Sequence, residues 1–143
     1  MAAAFTACDR LPSRITIAHG RADDTISRTF ISRIGDKDIQ FALTDQDISR
    51  FPAWSPAIPP PLTIPDVAKV AEAALPKYTH GTQGWYMRGV SIEQIRRSAE
   101  GKDKWIYLVN FGGVNEEDYI QIPVDFSGTP IKGIERPHEE FHD

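Results

Sequence analysis

The chain has a single cysteine, no stripe of basic residues and no apolar run of about 20, and each shortage closes off a class of protein. Cys8 alone cannot form an intrachain disulfide. Without the apolar run there is no membrane-spanning helix to expect. The 16 Lys and Arg are scattered among 20 Asp and Glu, giving a net charge of −4, so no basic face is offered to nucleic acid. There is no G-x-S-x-G elbow to raise a serine as a nucleophile. Gly112-Gly113 joins two strand-like runs rather than opening a helix, so no phosphate cradle is expected either. What is present, 41% hydrophobic and 25% charged residues in 143, suits one globular domain with a real core.

Five of the eleven prolines fall between Pro52 and Pro61, in "FPAWSPAIPPP". Proline fixes φ and lacks an N–H, so this stretch reads as an extended strap, with Trp54 tucked against the domain. Before it lie two β-patterned runs, "TISRTFISRI" and "IQFAL", joined by Gly35-Asp36-Lys37 as a hairpin. Arg28 and Ser32 interrupt the apolar side of the first run. Thr44 and Asp47 then have capping-box spacing for a short helical turn.

After the strap comes one clear helix, "TIPDVAKVAEAALPKY". Thr63 caps it, Asp66 completes the box, Val67, Val70, Ala71 and Ala74 make a stripe of small residues, and Pro76 stops it. Four strand candidates follow, "GWYMRGVSIEQI", "KWIYLVNF", "DYIQIPVDF" and "PIKGI", separated by turn-rich segments. The expected fold class is therefore α+β: one helix packed on a four-stranded antiparallel meander, preceded by a small N-terminal β-hairpin region. The expected organisation is a flexible tail over 1–13, a single domain over 14–136, and an acidic tail over 137–143. Within the domain, 14–50 is the hairpin region, 51–61 the strap, and 62–136 the helix and sheet.

Residues 62–134 resemble the PepSY domain and PepSY-like bacterial proteins. The likeness lies in the small-residue helix of "PLTIPDVAKVAEAAL", the Trp-bearing strand "KWIYLVNF" and the closing "IPVDFSGTPIKG". It implies an exported, non-catalytic module and carries no catalytic signature. Phe5-Thr6-Ala7-Cys8 resembles a lipobox, which would make Cys8 a lipidation site; that reading expects a charged and an apolar stretch upstream of it. The implied address is the periplasm or the exterior, with a lipid anchor on Cys8; without export it is the cytoplasm.

His138-Glu139-Glu140-Phe141-His142 spells H-E-x-x-H, the zinc-peptidase pattern. That chemistry needs both histidines on one face of a helix and a third protein ligand. Six residues after Pro137 cannot hold a helix alone, because nucleation is costly. His138 and His142 are thus expected to take up metal adventitiously at most, and no cofactor site is expected. His19 and His80 read as isolated loop or strand-end residues. The carboxylates of "TDQDIS" and "NEED" read as turn chemistry rather than a calcium loop.

The bulky residues carry the remaining signal. In "WIYLVNF", Trp105, Tyr107, Val109 and Phe111 share one face; Ile106 and Leu108 share the other. With Trp54, Trp85 and Tyr119, the aromatic residues Trp105, Tyr107 and Phe111 form the candidate binding surface, unless residues 14–61 fold back over them as core. The expected activity is binding or inhibition of another envelope protein through a sheet face or edge strand. The alternatives are assembly with a second copy of the chain, or a pocket between helix and sheet for a small molecule or substrate.

Overall fold

The computed structural model describes residues 15–16, 25–98 and 100–138, the first pair by backbone alone. Among the described residues, seven strands and three helices follow in the order β1 (Ile15–Thr16), β2 (Thr25–Ile34), β3 (Lys37–Thr44), α1 (Asp45–Arg50), α2 (Ile64–Ala74), α3 (Pro76–Thr79), β4 (Tyr86–Arg96), β5 (Lys104–Gly112), β6 (Tyr119–Val124) and β7 (Gly133–Pro137). The architecture is α+β with one antiparallel sheet, as the sequence patterning expects.

The four-stranded meander is met only in part. β4, β5 and β6 pair in sequence, but β7 does not continue on β6. The strand order is β4-β5-β6-β2-β3-β7, with β1 on β2, so the N-terminal hairpin is inserted between β6 and β7. The fourth strand also lies later than "PIKGI": Phe41 pairs with Gly133 and Lys37 with Pro137. Before β7 begins, the chain bridges Val124 to Pro130, and Ile131 N–H donates to Pro123 O at 2.9 Å. Since β5 occupies the other border of β6, this closes the pairing β6–β2–β3–β7 back onto β6.

Local chemistry explains the elements. The β2–β3 hairpin turns at Gly35, whose φ of 60° is a left-handed backbone that favours glycine. Thr44 and Asp47 form the capping box at the start of α1, with bonds of 3.1 and 2.9 Å. The Thr63 hydroxyl accepts from Asp66 N–H at 3.2 Å and starts α2. Pro76 ends that helix but also opens α3, a position where a missing N–H costs nothing.

The small residues let α2 lie close to the sheet: Val67 and Ala71 of the helix and Val109, Ile120 and Ile122 of β5 and β6 are all 0% exposed. Ile106 and Leu108, on the opposite face of β5, are buried as well, so this end of β5 is covered on both sides. At the same end Arg96 pairs with Asp45 at 2.8 Å and Arg28 with Glu93 at 3.5 Å, tying β4 to the start of α1 and to β2.

Candidate functional site

The aromatic residues divide between two places. Tyr107 and Phe111 are each 2% exposed, inside the core. The Tyr107 hydroxyl donates to Leu62 O at 3.2 Å and accepts from Leu62 N–H at 3.0 Å, fastening the end of the strap to β5. Burial raises its pKa above the ordinary 10.0, and the bond to the Leu62 backbone acts in the lowering direction. Trp54 meets Trp105 and Phe126 edge-on at 5.3 and 5.4 Å, and Ala53 bridges to Lys104. Trp105 is partly buried, and its Nε1–H has no hydrogen-bond partner among the described residues. Trp85 lies partly buried against Gly113. These residues hold the strap and the turn regions in place. Cys8, His19 and His142 lie outside the described residues.

The C-terminal histidine is also structural. Pro137 is the last residue of β7, and His138 N–H donates to Asp36 O at 2.8 Å, continuing the pairing past the strand. Its Nδ1 stands 3.0 Å from Asp38 Oδ1. The first two residues of the stretch assigned to an acidic tail therefore belong to the sheet edge, and His138 does not sit on a helix. Among the described residues no cluster of three metal-type ligands occurs. His80 is an exposed, left-handed cap of α3, with φ 56°.

Tyr119 alone of the expected set is on the open surface, 39% exposed, and it leads to residues not singled out in advance. It stands across Gly112 from Tyr86, which is 58% exposed. The Tyr86 ring and the Arg88 chain both lie over Gly112, where a Cβ would come within about 3 Å of them. Along this face β5 passes from Leu108 to half-buried Asn110 to Gly112, which is buried and has no side chain, so the surface dips. The result is an open groove of about 400 Å³, lined by Arg88, Ser91, Asn110, Tyr119 and Gln121. Its floor is fixed by a 2.7 Å bond from Gln121 Nε2 to Asn110 Oδ1. Arg88 is the extra residue of a β-bulge and has no ion-pair partner among the described residues.

On the other face of β4 the strap forms a second recess. Val90, Ile92, Leu62, Ile64 and Pro59 line an apolar slot of about 340 Å³. Between groove and slot runs β4 itself, the edge strand of the sheet, with no strand on its outer border among the described residues. Two register breaks, at Met87/Gly89 and Gln94/Arg96, bracket a regular stretch from Gly89 to Gln94. Bulges and charges at Arg88 and Arg96 restrict where another chain can add, and leave that stretch available. The sequence signal existed in the alternation opposite Tyr107, where apolar residues give way to Asn110 and, on β6, to Gln121.

No family model, no curated protein and no solved structure matches the chain. No helix among the described residues is long and apolar enough to cross a membrane.

Proposed function

We propose that the chain is a non-catalytic binding module of the bacterial envelope that takes an extended protein segment against the free edge of β4. The observation that carries the reading is the stretch Gly89–Gln94, paired to β5 on one border and to no strand on the other among the described residues, lying between a polar groove and an apolar slot. An added strand directs alternate side chains to opposite faces. One set enters the slot beside Val90, Ile92 and Ile64; the other lies on the groove, where Arg88 favours a carboxylate. Main-chain bonds along the edge supply affinity and the two recesses supply selectivity. Val67 and Ala71 of α2 pack solidly on Val109, Ile120 and Ile122, which confines any pocket between helix and sheet to the slot at Ile64. The envelope setting draws on the lipobox-like Phe5–Cys8 and on the resemblance of residues 62–134.

Peptides of about six residues, roughly 20 Å when extended, match this stretch. A labelled peptide alternating valine and glutamate is expected to bind, as read by fluorescence anisotropy, and one with a central proline is not. Ile64 is 62% exposed, so Ile64→Lys alters the mouth of the slot without disturbing the core. It is expected to weaken binding about tenfold, and Arg88→Ala to remove the preference for glutamate over glutamine. Failure of all alternating peptides to bind, or binding indifferent to both substitutions, would count against the proposal.

A further inference from the structure

We infer that the strand which occupies this edge is β4 of a second copy, paired antiparallel about a two-fold axis at Ser91. The inference rests on the edge-strand reading above and names its partner. Residues directly opposite in an antiparallel pair share a face, and a two-fold axis repeats every contact. With the axis at Ser91, Val90 stands opposite Ile92 of the second copy, and Ile92 opposite its Val90. Both point to the side on which the strap lies, because Ile92 is paired with Tyr107 and Val90 with Val109. The slot beside β4 is lined by these same two residues together with Leu62 and Ile64. Each copy thus fills the other's slot with the side chains that line its own.

The polar side is complementary in the same register. Gly89 falls opposite Glu93 of the second copy, which brings that carboxylate within reach of Arg88 at the bulge. The contact occurs twice, once on each side of the axis. In the isolated chain Glu93 meets Arg28 at 3.5 Å with both side chains half-buried, while Arg88 has no counter-charge among the described residues. Pairing would supply one. The bulges at Met87/Gly89 and Gln94/Arg96 end the ladder on either side. Because a two-fold contact consumes the edge of both copies, assembly stops at two rather than growing as a fibre.

The ladder is short, so the interface falls in the weak class below about 1,200 Å² and the dimer forms as concentration rises. Sedimentation of the full chain over a concentration series is expected to show the mass doubling. Ser91→Lys sets two ammonium groups opposite each other and is expected to weaken association about tenfold or more, with an unchanged circular dichroism spectrum. In a Cys8→Ser background, Ser91→Cys is expected to link covalently with a short thiol cross-linker, because opposed Cβ atoms lie about 4.5–5.5 Å apart. Gly89→Cys alone is expected not to link, whereas Gly89→Cys mixed with Glu93→Cys is. A mass that stays that of one chain overturns the inference, as does a dimer unaffected by Ser91→Lys or linked through Gly89→Cys alone. The alternating peptides separate the two readings. A monomer that binds them fails the second-copy inference only, and a monomer that binds none fails both. A dimer dissociated by them supports both.

Discussion

The two borders of β6 are built in different ways. Toward β5 the register is unbroken from Tyr107↔Val124 to Gly112↔Tyr119, and the side chains of both strands interleave in the core. Toward β2 one ladder pair remains, Arg33↔Tyr119, and side chains take over. Ser32, 0% exposed, accepts from Gln121 N–H at 2.9 Å; Asp118 Oδ1 accepts from Gly35 N–H at 2.9 Å; and the Tyr119 hydroxyl donates to Ile31 O at 3.4 Å. The β5 border is held by repeated backbone geometry and apolar packing, and the contact with β2 mainly by particular polar side chains. The first tolerates any residue of suitable shape, whereas the second depends on identity.

The largest expected effect lies on the β5 border. Ile122→Ala removes a fully buried side chain opposite Val109, and urea unfolding should show a loss of about 2–5 kcal/mol. On the β2 border Ser32→Ala leaves the Gln121 N–H without its acceptor, a cost of about 1–3 kcal/mol. Ser32→Thr keeps the hydroxyl and should recover part of that loss if bonding rather than volume decides. Equal costs for Ala and Thr would show the seam to be a packing contact like its opposite border.

Tyr107 supplies a test that depends on pH. Its folded-state pKa is raised, mainly by burial, so the folded chain holds the phenolic proton more tightly than the unfolded chain does. That contribution is fully present below the ordinary value of 10.0 and is lost as pH rises through the raised folded value. Tyr107→Phe should cost about 1 kcal/mol at neutral pH, through the bonds to Leu62, and should flatten the alkaline decline of the melting temperature. The smallest effect is expected at Asp118. Its bond to Gly35 N–H is exposed, and Asp118→Ala should change stability by less than about 1 kcal/mol.

The same contrast decides what could be read in the sequence. Alternation and turn residues mark β2 to β6, and the caps at Thr44 and Thr63 mark the starts of α1 and α2, because these features depend on neighbours along the chain. The placement of β7 beside β3 depends on which edge of the sheet is left open after β2 has joined β6, and no local pattern reports that. Ser32 looks like a break in an apolar stripe and is in fact a buried bridge between strands. Trp105, Tyr107 and Phe111 are legible as a bulky row, yet bulk alone does not tell a binding face from a core. The residues that line the groove beside β4 are mostly small or polar: Gly89, Ser91, Asn110 and Gln121 among them. They are picked out only by what surrounds them.

Amide hydrogen exchange across β4, read residue by residue in dilute and in concentrated solution, tests most directly whether this edge is the working surface. The outward-facing N–H groups between Gly89 and Gln94 should exchange rapidly when dilute and become protected on concentration, or when an alternating peptide is added, while the amides of β5 stay protected throughout. Outward-facing amides already protected in dilute solution, or left unprotected under every one of these conditions, would contradict it.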